Sequence, residues 1–345
     1  MVVSFVSIVE VSFVRYLIRR GVFLLGTLWV AITLNFLIPR LMPGSPAETM
    51  MAKFEGRGQQ INPAALHAIE VMLGISHASL WSQYTQYLVQ VIHFNFGLSY
   101  SEFPYSVRYV IGQALPWTLG LVGLATIISF FIGTGFGIYA AWRRNRPAAS
   151  VITTVSAFTG AFPYFWFALA LVYFLGFKFG WFPLTGGYQM GLLPHWSGSF
   201  VLDVIHHGIL PALTIVVSSV GGWLLSMRNN MINTLGEDFV LLGNAKGLPD
   251  RRIALQYVAR NAILPSVTGF GMAIGFVVGG SLLTELVFAY PGMGYLLYNA
   301  VVNEDYPLMQ GIFLIIVLCV VLANFLADIL YFLIDPRVRR GGEAT

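Results

Sequence analysis

"GEDFVLLGNAKGLPDRRIALQYVARNAILP", residues Gly236–Pro265, holds seven charged residues: Glu237, Asp238, Lys246, Asp250, Arg251, Arg252 and Arg260. The apolar runs on either side, Gly208–Met227 and Leu264–Ala289, hold only Glu285 between them. A charged block between two membrane-length apolar runs reads as a loop joining two spans, and its punctuation gives it shape. Glu237 and Asp238 open a short helix, where the dipole favours acids. Lys246 falls in its last turn and Gly247 just beyond, where helices commonly end in a left-handed residue. Pro249, with Asp250 beside it, fits the first turn of a second helix. That helix carries Arg251, Arg252 and Arg260 on one side and Ile253, Tyr257 and Val258 on another. Two short helices hinged at a glycine make a stiff protrusion with charged and apolar faces, suited to docking on a soluble partner. An interfacial hairpin lying on anionic lipid is the alternative reading.

Outward from that loop, the chain is 57% hydrophobic and only 10% charged, against roughly 25% charged for a soluble domain. So much apolar surface calls for lipid as solvent. The single cysteine, Cys319, lies inside an apolar run, which argues against a disulfide scaffold or a thiolate metal site. The net charge of +4 makes no case for nucleic acid as a partner. The N-terminal stretch has its basic residues, Arg15, Arg19 and Arg20, after the apolar run, the wrong order for a cleaved signal peptide. Residues 1–20 therefore read as a cytoplasmic or interfacial extension.

Crossing the hydrocarbon takes roughly 20 apolar residues. Six runs qualify: Gly21–Pro39, Trp117–Ala141, Val151–Phe177, Gly208–Met227, Leu264–Ala289 and Leu308–Leu333. Pro163 predicts a kink in the third. With the N-terminus inside, fourteen Lys and Arg fall on the inner side and five outside. The positive-inside bias thus puts both termini and the Gly236–Pro265 stretch in the cytoplasm. The expected organisation is an extension over 1–20, a first span over 21–39, an extracytoplasmic loop region over 40–115, a five-helix core over 116–333 with a cytoplasmic loop at 228–263, and a tail over 334–345. The outer region contains "NPAALHAIEVMLGIS" and "LWSQYTQYLVQVIHFNFG", both with helical periodicity.

Within the spans, Gly271, Gly275 and Gly279 recur every fourth residue, a spacing that lets two backbones approach closely. Either a neighbouring span of the same chain or a second subunit beside a transport pathway fits that stripe. Gly133 and Gly137 invite the same two readings, with packing inside the chain the simpler. Two carboxylates stand out because charge in lipid is costly. Glu285 falls near the outer surface, before the "YPGMG" turn, and reads either as a hydrogen-bonded helix end or as part of an outer gate. Asp328 falls near the inner end and reads as a local hydrogen bond. His195, His206 and His207 lack the company that metal ligation requires, so no metal site is expected. Trp117, Trp166, Trp181 and Trp196 suit the aromatic belts of the interfaces. No G-x-x-x-x-G-K-[ST] is present, so nothing here cradles nucleotide phosphates. A membrane enzyme would need paired catalytic groups at one depth, which the spans do not offer. A channel would need no docked motor.

The charged loop also carries a resemblance. Asp238-Phe239, then Gly243-Asn244-Ala245-Lys246-Gly247-Leu248, then Arg260-Asn261-Ala262-Ile263-Leu264-Pro265 is similar to the cytoplasmic loop of permease subunits in the dipeptide/oligopeptide/nickel branch of ABC importers. "LMPGSPAE" at 41–48, "FGLSYS" at Phe96–Ser101, "LPWTLGL" at Leu115–Leu121, "GWFPLTG" at Gly180–Gly186 and "HGILPALT" at His207–Thr214 continue it. So do "VFAYPGMG" at Val287–Gly294, "EDYPLMQG" at Glu304–Gly311 and "IDPRVR" at Ile334–Arg339. The chain departs from the wider superfamily at Leu241, Leu242 and Gly243, where Glu-Ala-Ala is frequent.

The resemblance implies an all-α polytopic protein of the cell membrane, a type I importer transmembrane domain of six helices. It implies a non-catalytic subunit that carries no cofactor, ATP and magnesium being bound by partners. Those partners would be a second homologous permease, two ATP-binding cassette ATPases and an extracytoplasmic substrate-binding protein. Glu237, Asp238, Phe239, Ala245, Lys246, Gly247 and Leu248 would form the coupling helix that docks on the ATPase. Di- or oligopeptides are the implied cargo, with nickel chelates or oligosaccharides as alternatives.

Overall fold

The computed structural model describes residues 2–41, 79–192 and 197–334, with the side chains of 2–17, 39, 40, 328 and 330–334 excepted. "NPAALHAIEVMLGIS", His195, Trp196 and the tail after Ile334 therefore lie outside the described residues, as does the side chain of Asp328. Among the described residues there is no strand, only an isolated bridge between Leu98 and Ser106.

The first helix, α1, runs unbroken over Val2–Leu41. The sequence reading separated an extension from a span at Gly21. The structure does not, because one glycine costs a helix only about 1 kcal/mol and the helix's one proline, Pro39, falls in its last turn, far from Gly21. Helix α2, Leu80–Ile92, starts at Ser79, whose hydroxyl accepts from the Ser82 amide at 3.4 Å. Its apolar face lies on α1: Tyr87 and Val91 share a buried cluster with Phe36 and Leu314. Asn35 Nδ2 donates to the Tyr87 hydroxyl at 3.1 Å and to the Gln310 carbonyl at 2.8 Å.

Helix α3 covers Val107–Trp142, beginning well before Trp117. Ser106 caps it, accepting from the Tyr109 amide at 3.3 Å. Pro116 lies inside, and the helix widens into a π turn at Leu119–Gly123, one way to absorb a residue that lacks an N–H. The third apolar run is two helices, α4 (Pro147–Ala161) and α5 (Tyr164–Lys178), bent by 94°. Phe162 and Pro163 at the break are extended, so the expected kink is a corner. Helix α6 spans Gly198–Thr234 with Pro211 inside it.

The loop reads α7 (Asp238–Ala245) followed by a second helical run, α8, over 250–262. The fifth apolar run breaks: α9 (Leu264–Phe276) tightens into a 3-10 turn at Val277–Gly279, and the chain turns at Gly280, φ +71°, into α10 (Leu282–Val287). Helices α11 (Met293–Val302) and α12 (Tyr306–Ile334) complete the described chain.

Among the described residues, five helices are long and apolar enough to cross a membrane, or six if α4 and α5 make one span. Phe23, Trp29, Phe131, Phe158, Leu202 and Phe276 are each 60% exposed or more, a surface that suits lipid. Small residues set the close approaches, as expected where lipid gives no hydrophobic drive between helices. A methyl group on Gly133 would sit 2.7 Å from the Val220 carbonyl oxygen, and one on Gly137 2.7 Å from that of Leu224, so α3 and α6 pack backbone to backbone. Gly221 similarly meets the Ser156 carbonyl, joining α6 to α4.

Candidate functional site

The protrusion at 236–263 is built as a rigid foot. Helix α7 ends in a Schellman cap: Gly247 sits at φ +69°, its amide donates to the Asn244 carbonyl at 2.9 Å, and the Leu248 amide reaches back to Gly243 at 3.3 Å. This is the left-handed glycine that the sequence predicted. Pro249 stands just before α8 as its N-cap, its carbonyl accepting from Arg252 N at 2.8 Å. Val240, Ile253, Val258 and Ala259 are buried in one cluster with Met227 and Met231 of α6 and Ala141 of α3. The foot is therefore fused to the ends of two long helices through an apolar core.

Of the residues singled out from sequence, Glu237, Asp238, Ala245, Lys246 and Gly247 are exposed on this foot. Phe239 and Leu248 are only partly exposed and pack against the buried cluster. Two residues that the motif reading left aside join the exposed face: Leu241 at 59% and Leu242 at 54%. A helix that sinks Val240 and Phe239 into a core while offering two leucines outward has apolar surface to spare on both sides.

At the other ends of the long helices, Glu285 is fully buried. Its Oε2 accepts from the amides of Gly294 at 2.7 Å and Tyr295 at 3.1 Å, so the carboxylate caps α11. Its Oε1 accepts from the Thr118 hydroxyl at 3.1 Å and the Ser281 amide at 3.4 Å. Thr118 Oγ1 in turn accepts from Met293 N at 2.7 Å. Gly280, Gly292 and Gly294 leave room for the carboxylate: a methyl on Gly292 would lie 2.5 Å from Glu285 Oε2. In this conformation the side chain faces protein donors on every side and no open path. Burial, and then the Glu285 charge, push the nearby Tyr290 hydroxyl up to about 12, so it remains a neutral phenol at neutral pH.

A second buried carboxylate, Asp305, escaped the sequence reading. Its Oδ2 accepts from the Ser99 hydroxyl and from both the amide and hydroxyl of Ser101 at 2.8 Å, while Oδ1 caps α12 through Leu308 N at 3.1 Å. Two of the quoted motifs, "FGLSYS" and "EDYPLMQG", meet at this one side chain. The signal was the acidic residue just before a long apolar helix, a capping position.

Gly271, Gly275 and Gly279 face α12 of the same chain: Gly271 lies against Ala327, Gly275 closest against Ala323, and Gly279 against Ile316. The face they offer is thus occupied within this chain. His206 Nε2 lies 3.1 Å from the Trp181 carbonyl, and His207 Nδ1 lies 2.9 Å from that of Asp203. Among the described residues no three His, Cys, Asp or Glu come together as metal ligands.

Residues 133–340 match the family described as binding-protein-dependent transport system inner membrane component. An oligopeptide transport system permease protein of Bacillus subtilis is 33% identical over 94% of this chain and 98% of its own length. A di/tripeptide transport system permease protein of Pseudomonas aeruginosa is 32% identical over 94% and 98%. An oligopeptide transport system permease protein of Haemophilus influenzae is 31% identical over 94% and 99%.

Proposed function

Since this chain belongs to the family of binding-protein-dependent transport system inner membrane components, multi-pass proteins of the cell membrane, we propose that it is the permease subunit of an ATP-driven importer of di- or oligopeptides. The peptide cargo is supported by the names of relatives that match this chain almost end to end. The subunit does no chemistry. A second permease completes the pathway, an extracytoplasmic binding protein delivers the peptide, and two ATPase subunits bind ATP and magnesium below.

The foot at 236–263 docks on the ATPase. The observation that carries this role is the fusion of exposed and buried faces: Leu241, Leu242, Ala245 and Lys246 outward, Val240 and Ile253 inward onto Met227 and Met231. A push on α7 has no soft joint in which to dissipate, because the Schellman cap and the apolar core hold it against α6 and α3. Helix α6 carries the displacement from Met231 to Leu210 and Ile215, which pack with Phe288 and Tyr290. Closing and opening of the ATPase dimer would then rock the spans between outward-open and inward-open states.

The test is a reconstituted importer bearing Leu241→Asp with Leu242→Asp. Loss of ATPase binding, or ATPase activity no longer stimulated by the loaded binding protein, is expected. Unchanged uptake together with unchanged stimulation would overturn the assignment. Identifying the ligand held by the cognate binding protein decides between peptides, nickel chelates and oligosaccharides.

A further inference from the structure

We propose that the turn at 143–146, between α3 and α4, binds the phosphate headgroup of an anionic phospholipid. The exposed Arg143, Arg144 and Arg146 line a surface cleft of about 360 Å³ together with Asn145, Leu235 and Asp250. Backbone bonds from Arg143 N to the Tyr139 carbonyl at 2.9 Å and from Arg146 N to the Arg143 carbonyl at 2.8 Å fix the turn. None of the three guanidinium groups has a hydrogen-bond or ion-pair partner among the described residues. Three cations and one carboxylate leave the cleft positive, and guanidinium groups match phosphate oxygens in pairs.

Position selects lipid over other anions. Trp142 ends one membrane-length helix and Pro147 begins the next apolar one, so the turn joins the ends of two apolar helices, the place where headgroups are expected. Beyond the turn, Val151 and Val155 on α4 are 60% and 54% exposed, an apolar track where an acyl chain can lie. Trp142 and Leu235 add apolar wall to the cleft itself. Basic clusters at the ends of spans attract anionic lipid, and here the three arginines share one open surface cleft.

The importer is purified in detergent, and phosphatidylglycerol is competed against phosphatidylcholine, with retained lipid read by native mass spectrometry. Wild type should retain phosphatidylglycerol at least about 5-fold over phosphatidylcholine. Arg143→Gln, Arg144→Gln and Arg146→Gln together should abolish that preference. Arg251→Gln, Arg252→Gln and Arg260→Gln, which remove the same charge from α8, should keep it. Equal retention by the first variant, or equal loss by the second, overturns the site. So does displacement of the lipid by excess inorganic phosphate, which would mark a free-anion site. A photoreactive phosphatidylglycerol should label residues 139–151 of the wild-type chain. Labelling only elsewhere, or loss of this labelling when the ATPase is bound, also overturns it.

Discussion

The hydroxyl of Thr118 is shared between two distant parts of the chain: it donates to Glu285 Oε1 at 3.1 Å and accepts from the Met293 amide at 2.7 Å. One small side chain, widened into place by the π turn that follows it, thus ties α3 to the corner where α10 meets α11.

Replacing Glu285 by Gln puts a donor among four donors. We expect a stability loss on the order of 1–3 kcal/mol, seen as a lower thermal midpoint of the purified protein. Thr118→Val should cost less, and the double variant less than the sum, because both remove the same contact. If Glu285→Gln melts like wild type but fails to transport, the carboxylate belongs to the pathway instead.

The serine–aspartate cluster gives a second test. Asp305→Asn replaces one carboxylate oxygen by an NH2 donor and removes the charge, so the three donors from Ser99 and Ser101 at Oδ2 and the α12 cap at Oδ1 can no longer all be satisfied. Hydrogen exchange over residues 96–106 should quicken roughly 10-fold or more, as expected for losing hydrogen bonds to a charged acceptor. Ser101→Ala should have a smaller effect, because its amide still reaches Oδ2 at 2.8 Å. Exchange unchanged in Asp305→Asn would remove the aspartate from that role.

Among the three regularly spaced glycines, the middle one should be the intolerant one. A methyl on Gly275 collides with Ala323, whereas methyls on Gly271 and Gly279 find neighbours at an ordinary 3.6 Å. Gly275→Ala should destabilise by roughly 1–3 kcal/mol and lower the folded yield. Gly271→Ala should behave as wild type. Equal tolerance at both positions would mean that α9 and α12 do not meet as described.

Gly247 has open space around it, so its constraint is the backbone alone. Gly247→Ala should cost about 1–2 kcal/mol of foot stability through the left-handed φ, and Gly247→Asn less, since Asn tolerates that region. Coupled transport should fall in the same order for these two, while Gly247→Asp, tolerated by the backbone but adding a negative charge to the exposed docking face, should uncouple the ATPase. Peptide-driven ATPase activity indifferent to all three would separate the glycine cap from coupling.

The sequence by itself determined the solvent, the spans and the foot. Apolar runs of membrane length leave helix as the only way to satisfy their backbone in lipid. A glycine after Lys246 and a proline two residues on fix where two short helices end and begin, because those signals act over a few residues. The order of short motifs around the spans likewise pointed to the family that residues 133–340 match. Only the tertiary structure decided what the buried polar groups do and which span each glycine meets. Thr118 and Glu285 lie 167 residues apart, and Ser99 and Asp305 206. No local pattern says that such residues meet, since their pairing follows from how the helices pack. The fifth apolar run looked continuous for the same reason: its break at Gly280 makes room for the Glu285 carboxylate, a group whose partners come from another helix and another turn.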